Sequence, residues 1–183
     1  MIVPKNQSDS GCNNKTSGKT MSSASDQAIQ AVKDVENFML NHFAPDEFGE
    51  WWPDMSTDLL KKLDRFRELW GYPVEISPVD GSRGRHNGPD GHSMHNIDRW
   101  GVVRAVDVFP KVPDGKGGYR YMQTVKERQE AYATARVVGF TGIGLYVDTH
   151  PGNLLHVDNR PGEHVATWSR VNHEYLGLDE VLS

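Results

Sequence analysis

Two periodicities share this chain of 183 residues, a helical one in its first half and a strand-like one in its second. Residues 5–25 show neither. They are Ser, Asn, Gly, Lys and Thr with almost no apolar side chains, too little to offset the entropy of ordering, and are expected to form a flexible polar tail. From Ser25, a suitable N-cap with Asp26 in the first turn, the residues Ile29, Val32, Val35, Phe38 and Met39 recur at helical spacing and predict a helix. Residues 43–53 carry prolines, a glycine and several aromatics without period and predict a packed loop. A second amphipathic stretch puts Leu59, Leu60, Leu63, Phe66 and Trp70 on one face, with Gly71 placed to end it.

The period then shortens. Residues 72–77 read as a short strand, and residues 102–109, apolar and β-branched, as a buried one. Between them, residues 78–94 are dense in Gly, Asp, Ser, Arg and His, too long for a plain connection and expected to carry function. Residues 111–123 predict an excursion or hairpin. Thr124 and Glu127 form a capping-box pattern, opening a third helix that runs to Val138 and ends at Gly139. Short strands are expected at 143–147, 154–158 and 165–169. Helices first and strands later indicate an α+β domain, with helices packed on a small, mainly antiparallel sheet, filling residues 26–183 as one unit.

Composition narrows the function classes. The formal net charge is −5, so no basic field supports a nucleic-acid partner. The only cysteine, Cys12, lies in the polar tail, which excludes a disulfide framework and a thiolate metal site. No window approaches the roughly 18 consecutive apolar residues of a membrane span, and no apolar core follows Met1-Ile2-Val3-Pro4-Lys5, so neither membrane insertion nor an export signal is expected. Seven of the eight histidines lie between His86 and His173, which points to metal or proton chemistry.

His95, Asp107 and His156 offer two imidazoles and a carboxylate on separate segments, the donor set of a catalytic zinc site with one position left for water. Alternate residues of a strand share a face, so Asp107 points with Ala105 and Phe109, and His156 with Leu154 and Asp158. Asp158 could then accept a proton, orient a ligand or act as a fourth ligand; the strand pattern leaves all three roles open.

Ser93-x-His95, Arg104-Ala105-Val106-Asp107-Val108, Gly142-Ile143-Gly144-Leu145-Tyr146, Leu155-His156-Val157-Asp158-x-Arg160 and Ala166-Thr167-Trp168-Ser169 together resemble, in order, the motifs of the zinc D-Ala-D-Ala carboxypeptidase family. That family takes in peptidoglycan endopeptidases and phage endolysins and shares the Hedgehog/DD-peptidase fold. Asp80-Gly81-Ser82-Arg83 resembles its Ser-Gly-x-Arg segment, and the likeness spans about residues 43–170. The resemblance implies zinc held by His95, Asp107 and His156, with Arg83 binding a substrate carboxylate or developing oxyanion, a task suited to a guanidinium fork. It implies hydrolysis of a peptide bond in the peptidoglycan stem peptide or crossbridge. The protein is then expected to act at the bacterial cell wall, in phage lysis or from a virion, as a monomer. The alternative is a non-catalytic virion or binding protein that retains the fold.

Two departures from the family pattern stand out. Asp107 follows His95 by twelve positions, further than in relatives, which reads as an insertion around Ile97-Asp98-Arg99-Trp100. Many relatives also carry Glu shortly before the last ligand, where this chain has Asn153 and, further back, His150. Asp158, on the strand face of His156, is therefore the favoured catalytic base, with Asp148 and His150 as the other candidates. Trp168 is expected near the zinc.

Overall fold

The computed structural model describes residues 40–183, which form one compact unit; the predicted tail, its Cys12 and the helix opened by Ser25 lie outside the described residues. Element by element, a 3-10 segment Pro45–Asp54 leads into α1 (Thr57–Trp70), β1 (Val74–Ile76), a one-turn helix α2 (Ile97–Trp100) and β2 (Ala105–Pro113). These are followed by β3 (Tyr119–Tyr121), α3 (Val125–Val138), β4 (Gly142–Tyr146), β5 (Leu154–Asp158), β6 (Ala166–Val171), β7 (Glu174–Leu176) and α4 (Asp179–Leu182). The mixed α+β class expected from the pattern is present. Its sheet has seven strands in the order β1-β2-β5-β4-β6-β7, with β3 as a hairpin partner of β2. Every pairing is antiparallel except β4 with β6.

The helices obey their local signals. Ser56 caps α1 by accepting from Leu59 N, and Gly71, at φ 77°, ends it in the left-handed conformation that a side chain would strain. Its apolar stripe, Leu59, Leu60, Leu63, Phe66 and Trp70, is buried, and Phe66 meets Phe140 edge to face at the entrance to β4. Around Pro45 the chain winds into a 3-10 segment, where a loop was expected, because Glu47 closes back on Ala44 N and Phe48 is fully buried. Residues 174–176 and 179–182, short and weakly patterned, form structure that their sequence does not announce. β7 exists by pairing with β6, and Val181 O in α4 accepts from Arg128 Nε of α3.

Strand alternation divides the sheet into two chemically distinct faces. On one, Val106, Val108, Ile143, Leu145, Leu155 and Val157 are buried at 0% exposure. On the other, the register aligns Asp107 of β2, His156 of β5, Gly144 of β4 and Trp168 of β6 in one row across the sheet. The neighbouring row runs Ala105, Asp158, Gly142 and Ala166. The apolar face makes the core; the polar face holds the histidines and carboxylates.

Thr124 and Glu127 form the predicted capping box at the start of α3, and Arg120 of β3 closes on the same carboxylate with contacts of 2.5 and 3.1 Å. Chiefly through Arg120, and against its partial burial, Glu127 titrates at about 2, below its ordinary 4.5. Because the folded-state value is depressed, this contribution is complete above pH 4.5 and is lost as the pH falls through 2. Glu127→Gln should cost about 1 kcal/mol at neutral pH, since solvent screens the pair. In chemical denaturation, its deficit against the parent protein should shrink steadily as the pH is lowered across that window.

Candidate metal centre

His95 comes from the long loop and not from a strand. Two main-chain contacts fix it: Arg85 N donates to His95 O at 2.9 Å, and Ile97 N returns to Arg85 O at 3.1 Å. Asn96 next to it is completely buried and uses its whole amide. Its Oδ1 accepts from Asn87 N and Asp98 N, while Nδ2 donates to Gly88 O and Gly91 O, so the Gly-rich loop folds around this one side chain. The residues read as an insertion become α2, whose N-cap is Asn96 and whose Trp100 indole donates to Ser93 O at 2.9 Å. These residues thus brace the loop that carries His95. The same loop is tied to the second ligand's strand, since Ser77 N donates to Asp107 O and Asp107 N to Ser82 O.

The three residues expected to bind metal converge. His95, Asp107 and His156 are buried at 3%, 8% and 6% exposure. His156 Nδ1 lies 2.8 Å from Asp107 Oδ1, His95 Nε2 lies 3.2 Å from His156 Nδ1, and His95 Nε2 lies 3.4 Å from Asp107 Oδ1. Ligand atoms held at about 2.0–2.2 Å in a tetrahedron are about 3.3–3.6 Å apart, so this triangle fits a small divalent cation once its shortest edge, 2.8 Å, widens by about half an ångström. The donor set agrees, with two imidazole nitrogens and a carboxylate oxygen aimed at one point.

Electrostatics favour positive charge at that point. Burial acts to raise the Asp107 carboxyl, but the imidazoles of His95 and His156 outweigh it and hold Asp107 well below the usual carboxylate range. Burial opposes a charge on His156, yet hydrogen bonds to Asp107 and Asp158 raise it to about 9. Burial lowers His95, with Asp107 only partly opposing. The two imidazoles are supported differently. His156 Nε2 is 3.1 Å from Asp158 Oδ2, the carboxylate support that orients many ligating histidines, whereas His95 Nδ1 is buried without a partner among the described residues.

Asp158 is therefore not placed as the expected base. It is 0% exposed and lies on the nitrogen of His156 opposite the triangle; one oxygen takes His156 Nε2 and Arg160 Nη2, the other Arg160 N and Nε. The other candidates divide as well. Asp148 is held by Arg170 Nε at 3.0 Å and by His173 N at 2.6 Å. Asn153 accepts from Arg128 Nη1 at 2.9 Å and is buried. His150 lines the pocket over the triad.

That pocket is open and about 830 Å³ in volume. Arg83 does not line it; Nη2 of Arg83 makes one long contact, 3.5 Å, with Pro78 O. Arg85 does, two positions on, with Nη2 on Gly81 O at 3.0 Å and no carboxylate partner among the described residues. Gly81, at φ 78°, turns the loop two positions before Arg83, and which of the two arginines faces inward in this aperiodic segment is not a signal that strand or helix periodicity carries. Tyr146, Trp168 and Arg170 complete the wall expected around Trp168: Trp168 sits 5.0 Å from the His156 ring and donates to Tyr146 Oη at 3.2 Å.

Comparison of the chain with known protein families, with curated proteins and with solved structures found no match in any of the three. Among the described residues no helix is long and apolar enough to cross a membrane.

The two glycines of β4 make the polar face possible. A Cβ on Gly142 would stand 2.1–2.3 Å from the Asp158 carboxylate, and one on Gly144 2.6 Å from the Trp168 indole. Gly142→Ala and Gly144→Ala should each lower stability by about 1–3 kcal/mol through overpacking. Thermal melting measures the loss, and alanine variants that melt with the parent protein would show that neither position is so crowded.

Proposed function

We propose that this chain is a zinc peptidase of the D-Ala-D-Ala carboxypeptidase kind, with the Hedgehog/DD-peptidase fold, which hydrolyses a peptide bond in the peptidoglycan stem peptide or crossbridge. The observation that carries the reading is the convergence of His95 Nε2, Asp107 Oδ1 and His156 Nδ1 in one buried triangle at an open pocket. Four of the motif segments that resemble the family, those around Asp107, Gly144, His156 and Trp168, lie side by side in the sheet with these residues in register.

Zinc held by these residues would supply Lewis acidity toward a scissile carbonyl and acidify water. Arg85 presents a guanidinium with no carboxylate partner, suited to hold a substrate carboxylate or a developing oxyanion. Trp168 and Tyr146 give the peptide a rigid wall, locked to each other by the indole N–H. Asp158 and Asp148 are engaged by arginines, so the pocket-lining side chains that would be available to take up a proton are His150, His92 and Asp80.

The absence, among the described residues, of a disengaged buried carboxylate beside the triad favours a second reading, a virion or binding protein that keeps the fold and the metal without turnover. Fragments released from purified peptidoglycan, measured by mass spectrometry with and without chelator, separate the two. His95→Ala and His156→Ala should lose bound zinc and hydrolysis together, and hydrolysis by a zinc-free His156→Ala protein would overturn the proposal. Arg85→Ala should slow hydrolysis by about 10²- to 10³-fold if it serves a developing oxyanion, with Arg83→Ala close to the parent rate.

A further inference from the structure

Arg160 lies outside the metal triangle, yet it closes a buried circuit through it. Its Nη2 is 2.5 Å from Asp158 Oδ2, its Nε is 3.0 and 3.2 Å from the two oxygens, and its backbone N donates to Oδ1 at 3.0 Å. The guanidinium lies 5.0 Å over the Trp168 ring, and that ring lies 5.0 Å from His156. Asp158, at 0% exposure, thus sits between His156 Nε2 and a fork of three donors from one residue, in space left by Gly142.

An imidazole ligates through a nitrogen that has given up its proton, so His156 serves a metal at Nδ1 only when its remaining proton is on Nε2. A carboxylate fixed against Nε2 enforces that arrangement. A fully buried carboxylate without compensation is costly and would take up a proton or turn away. Arg160 provides the compensation, and as the partly exposed member, with 28% of its side chain accessible, it can be replaced without opening a cavity in the core.

We propose that Arg160 is a positioning residue for the metal: by holding the Asp158 carboxylate against His156 Nε2, it directs Nδ1 toward Asp107 and His95. The inference rests on the metal reading above. It also separates the two imidazoles, since the far nitrogen of His95 has no such support and that ring depends on its loop's main-chain contacts.

Zinc affinity of the full chain, measured by competition with a chromophoric chelator, tests it apart from hydrolysis. Arg160→Gln should bind zinc about 10- to 100-fold more weakly than the parent, with the metal-free protein lowered in melting temperature but still folded at the temperature of the titration. Arg160→Lys, which keeps the charge but not the fork, should recover part of the loss, and Arg83→Gln should bind as the parent does. The double variant Asp158→Asn with Arg160→Gln should be about as weak as the weaker single one, because the two act as a unit. Parent affinity in Arg160→Gln overturns the inference alone. An Arg160→Gln protein that unfolds without metal also overturns it, making the residue one of the fold. A parent chain that binds no zinc overturns the metal reading together with this one.

Discussion

A buried imidazole held between two buried carboxylates is the constraint on which the rest of the structure depends. His156 faces Asp107 on one nitrogen and Asp158 on the other. Uncompensated charges of this kind are not tolerated in an interior, so each carboxylate needs further partners. Asp158 finds them in Arg160, whereas Asp107 has His95 and the point at which a cation fits. The sheet makes this possible by segregation: one face is predominantly apolar and supplies the core, leaving the other free to hold polar groups that would otherwise weaken it.

Around that row the chain is arranged to leave space and to fix position. The glycines of β4 omit side chains where the Asp158 carboxylate and the Trp168 indole must lie against the strand. The long loop gains its order from Asn96, whose amide satisfies four main-chain groups, and from the ties that join Ser77 and Ser82 to the backbone of Asp107. A loop ligand and a strand ligand are thereby held in one frame. Metal sites gain selectivity from such fixed geometry more than from raw affinity.

The pocket's chemistry is distributed unevenly. Its arginines have different surroundings: Arg160 and Arg170 are paired with Asp158 and Asp148, while Arg85 has no carboxylate partner among the described residues. A guanidinium placed in this way can meet an anion that enters the pocket.

The sequence by itself determined the strongly periodic elements and their ends. α1 and α3 run where the helical spacing, the capping box at Thr124 and the stops at Gly71 and Gly139 place them, and His95, Asp107 and His156 were legible as a candidate donor set. Strand alternation also put Asp158 on the face of His156 correctly. Only the tertiary structure decided what that carboxylate does. A shared face says nothing about which nitrogen of the ring it meets, and the partner that engages it, Arg160, lies beyond the strand's end, where alternation no longer holds. The exchange of Arg83 for Arg85 has the same cause, since side-chain direction in an aperiodic loop follows from turns and long-range ties. β7 and α4 were missed because three or four residues are too few for a period, and their pairing with β6 and Arg128 supplies what local propensity does not.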